Sequence, residues 1–324
     1  MPHSEVSSDD GIKQVRPIPV SADTGSSSAP SDDHEKRSIS QSPWLPRLNS
    51  CIPLLQSVQK YSSYTFTTFA FIHGLAVVVA PAISTSLADD LIGMGRQLYQ
   101  DSGLEWILVW GSLGLHVLSG VAVRSIRQAI HRLKHGDKRR KALKRRTSLR
   151  DSIPSEEEVI VKEEGGLTGG ISGYAGMKPA RTSFVSRVLG LTPLQMAGYL
   201  SIPLVTYHAL QVRILPLCLE GDSSYIGLDY LQYILSCSHG IARSCLNWLI
   251  YPSMVLLTTY HTVYGLLFWN NVKQLRLRKL AMNFISLVAL CGVYSLYAIH
   301  KMDSSVPQFI KLRFSGYLDK FYLF

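Results

Sequence analysis

Five stretches of this 324-residue sequence lack any Asp, Glu, Lys or Arg: 61–87, 106–123, 189–212, 246–272 and 280–300. A helix on the surface of a soluble domain needs a polar face, so five charge-free blocks exclude an ordinary soluble fold. Each block is near the ~20 residues that cross ~30 Å of hydrocarbon at 1.5 Å per residue. A cleavable signal peptide is also missing, and Glu5, Asp9 and Asp10 stand where a matrix-targeting presequence would be basic. The first apolar block therefore serves as its own targeting element. Cys51, Cys218, Cys237, Cys245 and Cys291 show no CxxC spacing and need not be paired. No Ser-His-Asp set with motif context and no carboxylate pair within the blocks points to a soluble enzyme. The glycine cluster at 165–173 lacks both the Lys-Ser/Thr ending and the preceding strand of a phosphate loop, and reads as a flexible linker.

The charges that are present lie between the blocks and differ from one connection to the next. The second connection, 127–187, contains the run His131-Arg-Leu-Lys-His-Gly-Asp-Lys-Arg-Arg-Lys-Ala-Leu-Lys-Arg-Arg146, and the fourth carries Lys273, Arg276, Arg278 and Lys279 with no acid. The first connection sets Asp89, Asp90, Asp101 and Glu105 against Arg96, and the third sets Glu220, Asp222 and Asp229 against Arg213 and Arg243. Lys/Arg bias at helix ends puts the N-terminus and the even connections in the cytosol, and five spans then place 301–324 on the far side. The net charge of +10 sits beside the apolar blocks, so an anionic lipid leaflet is the implied acidic partner and nucleic acid is not. The basic run serves equally as a topology signal. Within it, Arg145-Arg-Thr-Ser148 has the form of a basophilic phosphorylation site, where added phosphate would weaken attraction to lipid.

A duplication organises the spans. Tyr64, His73 and Pro81 in the first block recur as Tyr199, His208 and Pro216 in the third, each 135 residues on. His116 and Gly120 in the second block recur as His261 and Gly265 in the fourth. The unit is Tyr-x8-His-x7-Pro followed by His-x3-Gly, and both copies start on the cytosolic side. This predicts two parallel helical-hairpin repeats related by an axis along the membrane normal. The expected fold is an all-α membrane protein with five transmembrane helices. Its parts are a disordered cytosolic tail (1–42), a first hairpin repeat (55–126), a cytosolic loop (127–187), a second repeat (188–272), and a fifth helix with its C-terminal tail (273–324).

Histidines at bilayer depth are costly and face the bundle interior. His73, His116, His208 and His261 could ligate haem b iron, since helix bundles build bis-imidazole sites in their cores. Gly120 and Gly265, one turn from His116 and His261, would let a flat ring approach the backbone. Two ligations are open: one site per repeat (His73 with His116, His208 with His261), or a central haem shared by His116 and His261. The competing readings are close helix packing at the glycines, a proton relay, and a different metal. Tyr64, Tyr199, Thr258 and Thr259 could instead line a transport or lipid-scrambling path.

The tail carries Val15-Arg-Pro-Ile-Pro-Val20, in which Pro17 and Pro19 pre-set an extended backbone and Ile18 and Val20 offer side chains to a groove. Together with Tyr61-Ser-Ser-Tyr-Thr-Phe…His73, Gly198-Tyr…His208 and His261-x3-Gly265, the chain resembles a fungal mitochondrial outer-membrane family with a duplicated MCP-type transmembrane domain. The resemblance covers about 55–300. Members of that family suppress loss of the ER–mitochondria tether, and they recruit the bridge-like lipid-transfer protein of the vacuolar-sorting class through an N-terminal Pro-x-Pro motif. The resemblance therefore implies a non-enzymatic receptor at membrane contact sites that supports mitochondrial lipid homeostasis. The resemblance also implies a place in the outer membrane with the N-terminus cytosolic and the C-terminus in the intermembrane space, and a docking role for Pro17, Ile18, Pro19 and Val20. The His-x3-Gly helices also look like those of succinate dehydrogenase anchors, in which the His ligates haem b. The Arg-His pair that follows the Gly in those anchors is absent here.

Overall fold

The fold is a computed structural model that describes residues 44–100, 102–149, 190–236, 240–303 and 306–323. By contacts the chain divides into Met1–Leu45 and Pro46–Phe324, and the helices below belong to the second unit apart from the first residues of α1. Every regular element among the described residues is helical. The α-helices of eight residues or more among them are α1 (Trp44–Gly74), α2 (Thr85–Tyr99), α3 (Ser112–Leu149), α4 (Pro193–Ala209), α5 (Leu228–Leu235), α6 (Ile241–Trp269), α7 (Leu275–His300) and α8 (Gln308–Phe321). The expected disordered tail 1–42 with its Pro17–Val20 segment, and residues 150–187 of the expected loop 127–187, lie outside the described residues.

Three π-helical segments interrupt the long helices: Leu75–Val79 after α1, Trp106–Gly111 before α3, and Leu210–Ile214 after α4. The first and third stand at equivalent places in the duplication, and the proline of the repeat is the local cause. Pro81 and Pro216 have no N–H to donate and their rings crowd the carbonyl four residues back, so the helix widens just before each. Both prolines are buried at the start of a last short helical piece, Ala80–Ile83 in one repeat and Leu215–Glu220 in the other. A widened turn frees carbonyls, and Val78 O accepts hydrogen bonds from Ser295 Oγ of α7 at 2.6 Å and Cys291 Sγ at 3.4 Å. Helix starts follow capping chemistry: Thr192 and Gln195 form a reciprocal capping box on α4, and Ser84 caps α2.

Four helical runs among the described residues are long and apolar enough to cross a membrane: Pro46–Ile83, Gly103–Arg132, Pro193–Glu220 and Leu275–His300. The fifth expected span, α6, has 29 residues and is not among those four. Its polar side chains Ser244, Asn247, Tyr251, Tyr260 and Tyr264 are buried, and α6 packs along both α4 and α7; Ser244 and Asn247 donate to the α5 carbonyls of Leu235 and Ile234. Gln211 just past α4, Tyr251 near the start of α6 and Leu296 near the end of α7 come together. Hence α4 and α7 run parallel, and α6 is the antiparallel crossing that returns the chain between them. Five long helices in two hairpins plus one result, of which four meet the length and apolarity of a span, one fewer than the five expected.

Three further helices gather at the end where α1 and α4 finish. α2 and α5 pack Ala88 and Leu228 against Ala80 and Ile299. α8 inserts Phe314, Tyr317 and Leu318 among Ile226, Tyr230 and Ile234. Reading 301–324 as a tail gave it no element, yet it forms an amphipathic helix that closes this end of the bundle. At the opposite end α3 continues as helix through the basic run to Leu149, where the sequence suggested only a loop.

Candidate functional site

The four histidines meet in two pairs, each drawing one ring from each repeat. His73 of α1 faces His208 of α4 with ring centroids 6.0 Å apart. His116 of α3 faces His261 of α6 at 5.9 Å. The one-site-per-repeat arrangement does not occur, because equivalent helices meet across the pseudo-twofold axis and bring equivalent residues together. α4 and α6 pack tightly along their length, whereas α1 with α4 and α3 with α6 approach less closely. Imidazoles, not backbones, bridge those two gaps.

The second pair is held in matching ways. His116 Nδ1 donates to Gln59 O at 3.1 Å, and His261 Nδ1 donates to Leu194 O at 3.0 Å. A carbonyl can only accept, so the proton is on Nδ1 and the Nε2 lone pair is free in both rings. Gln59 and Leu194 are themselves 135 residues apart, so the duplication extends to these carbonyls. Gly198 makes room for the His261 ring, since a Cβ there would lie 2.6 Å from Cε1. The two expected glycines behave differently. A Cβ on Gly120 would meet Gln59 Nε2 at 2.7 Å, while one on Gly265 would find nothing within 4 Å.

The first pair sits among aromatics. Phe69 stacks on His73 at 5.3 Å, the Tyr99 hydroxyl lies 3.3 Å from His73 Nδ1, and Tyr251 meets His208 edge-on at 5.7 Å. His208 Nδ1 is buried with no hydrogen-bond partner among the described residues. Each member of this pair directly precedes a π segment. Tyr99 belongs to the capping helix α2, where burial pushes its phenol above the ordinary range and Arg96 opposes the shift. Along α1, 14 residues separate Gln59 from His73, and the same number separates Leu194 from His208 along α4. At 1.5 Å per residue the two pairs lie about 20 Å apart along the bundle.

An ion pair ties the repeats together at the capped end. Arg213, in the Leu210–Ile214 π segment, makes a two-pronged contact with Glu105, which precedes the Trp106–Gly111 segment, at 2.8 and 2.5 Å. Arg213 also reaches Ser223 Oγ at 2.5 Å, and nearby Arg96 donates to Ser224 O at 3.0 Å. Sequence reasoning placed Glu105 and Arg213 among loop charges. A lone arginine so near an apolar block was the available signal that it has a buried partner. The suggested transport-path hydroxyls are dispersed: Thr258 returns its hydroxyl to Met254 O within its own helix, and Tyr199 lies under Arg124 at 5.9 Å. A groove of about 550 Å³ runs between α1 and the start of α3, lined by Ser57, Tyr61, Thr65, Trp106 and Leu115 among others.

The sequence matches the family model described as MDM10-complementing protein 1, transmembrane domain, over residues 68–179 and 203–301. One matched segment contains His73 and His116 and the other His208 and His261, in agreement with the duplication. The chain is 27% identical over 262 residues to Mitochondrial adapter protein MCP1 of Saccharomyces cerevisiae, an alignment covering 79% of this chain and 78% of the yeast protein. No solved structure matches it.

Proposed function

We propose a mitochondrial membrane adapter, on the premise that this chain belongs to the MDM10-complementing protein 1 transmembrane-domain family. The observation that carries the reading is the likeness, over most of both chains, to a yeast protein that bears the name mitochondrial adapter. The helical bundle supplies the anchor.

The finer reading places the protein in the outer mitochondrial membrane with its N-terminus in the cytosol. There Pro17, Ile18, Pro19 and Val20 dock a bridge-like lipid-transfer protein of the vacuolar-sorting class. Support comes from the chemistry of the segment: two prolines lower the entropy cost of binding an extended strand, and the alternating apolar side chains supply grip. The basic stretch 131–146 adds attraction to an anionic leaflet at about 1 kcal/mol per nearby cation. Such an anchor would hold the transfer protein at a contact site and so support lipid homeostasis.

The test replaces Pro17 and Pro19 with Ala in the full chain and scores the partner's recruitment to mitochondria. Recruitment should fall to background while the variant still inserts and keeps its thermal stability. Undiminished recruitment would overturn the docking role, and recruitment to another organelle would overturn the location.

A further inference from the structure

We propose that the two cross-repeat imidazole pairs, His73 with His208 and His116 with His261, are each the axial ligands of one non-covalently held haem, giving a two-haem bundle. This goes beyond the adapter reading and does not rest on it. Four observations lead to it.

Spacing comes first. Two metal–nitrogen bonds of about 2 Å, with an imidazole ring centre a little over 1 Å beyond each nitrogen, put the centroids of a bis-imidazole complex about 6 Å apart. Both pairs have that separation, at 6.0 and 5.9 Å. The helices that carry them are spread more widely than α4 and α6, so closing the gap falls to the side chains.

The hydrogen bonds set the tautomer a ligand needs. An axial histidine keeps its proton on Nδ1, bound to a carbonyl, and turns Nε2 toward the metal. His116 and His261 hold the Nδ1 proton in this way on Gln59 O and Leu194 O, alike in both repeats. If the two rings served only as packing, nothing would require the same tautomer at both. The remaining pair contains His208 Nδ1, a buried polar atom without a hydrogen-bond partner among the described residues.

The donor count selects the ligand. Each site offers two imidazoles, and no carboxylate or thiolate among the described residues joins them to make a set of three. Zinc would need four protein ligands or three with water. Two opposed imidazoles leave four equatorial positions, which a porphyrin fills. The missing CxxC spacing leaves no cysteine pair for covalent attachment through the vinyl groups, which makes this a b-type haem.

The surroundings are suitable for a flat apolar ring. Phe69, Tyr99 and Tyr251 wall the first pair, and Gly265 leaves open space one turn from His261. Gln59, whose amide leans on Gly120, is the side chain that must turn aside at the second pair. Arg96, one turn before Tyr99, and Arg124, two turns beyond His116, provide a cation toward each end for the propionates. The pairs stand about 20 Å apart, so each ring has its own level of the bundle.

The experiment is a dithionite-reduced-minus-oxidised spectrum of the full chain, purified in detergent after haem-replete expression, with haem counted per chain. Two b-type haems with low-spin bis-imidazole resonances are expected. His208→Ala and His261→Ala should each halve the haem content, and the variant with both should lose it. His208→Met, which keeps an axial ligand, should retain both haems with one shifted to a His/Met spectrum, and this separates lost ligation from a failed fold. A monodisperse wild-type chain without b-type bands would overturn the proposal. So would a single haem, stoichiometric zinc in place of haem, or bands unchanged in the double variant. Pro17→Ala/Pro19→Ala leaves this spectrum untouched, so the outcome is independent of the docking test.

Discussion

His261 occupies its position because residue 198 has no side chain. A methyl there would intrude to 2.6 Å from the ring carbon and 2.9 Å from Nδ1, the atom bonded to Leu194 O. Neither neighbour can yield cheaply, since the ring is held by that bond and the methyl by the α4 backbone. Gly198→Ala is therefore expected to destabilise the protein by roughly 1–3 kcal/mol, the usual cost of overpacking, despite the higher helix propensity of Ala. Thermal unfolding in detergent reads this, and a melting temperature at or above wild type would show that the ring has other room. Gly265→Ala meets nothing and should not destabilise the chain. Two glycines of similar appearance in the sequence thus carry opposite expectations, because the structure places a neighbour against only one of them.

Among the elements, the π segments and the ion pair show how a repeat is locked. Pro81 and Pro216 widen their helices, and what then fills the disturbed turn differs between the copies. In the first repeat α7 supplies Ser295 and Cys291 to Val78 O. In the second, Tyr230 and Tyr251 of the neighbouring helices donate to Gln211, to its backbone oxygen and its Oε1 respectively. Arg213 then crosses to Glu105, with side-chain exposures of 17% and 13%. Losing one member of a largely buried pair leaves the other desolvated and alone, at a cost of about 3–5 kcal/mol, whereas apolar replacement of both is far cheaper. Glu105→Ala should therefore lower thermal stability sharply. Glu105→Leu combined with Arg213→Met should recover most of it, and additive losses in that double variant would show that the pair is not coupled. The spans, their duplication and the four histidines were legible in the sequence, because apolar runs and identical spacings survive divergence. The pairing of the histidines was not. It depends on which helices face each other across the axis, and spacing within one helix carries no information about its partner. The π segments and the capping helices were equally hidden, the former because a proline marks a break without specifying its geometry. The short amphipathic helices α2, α5 and α8 gave no long apolar run to read.

At the scale of the molecule, the two hairpins alone would make a symmetric four-helix bundle, and α7, α8 and the capping helices break that symmetry. Of these, α2, α5 and α8 gather on one end, which also holds the acid-rich connections, while α3 extends the basic run from the other. Burial pushes the Asp89 carboxyl on α2 above the ordinary range, with Asp229 on α5 adding to the shift, so acidic groups crowd one another at the capped end. This polarity supports one orientation, and native thiols can check it. Cys51 near the start of α1 is exposed toward the uncapped end, and Cys218 is exposed in the Leu215–Glu220 piece at the capped end. In chains keeping only one of these cysteines, a membrane-impermeant maleimide added to intact mitochondria should label Cys51 and spare Cys218. Rupturing the outer membrane should then make Cys218 reactive. Labelling of Cys218 in intact organelles would reverse the orientation, and with it the side on which Pro17 and Pro19 meet a partner. The histidine pairs would remain as they are under either outcome, because they depend on how the repeats face each other and not on which way the bundle is inserted.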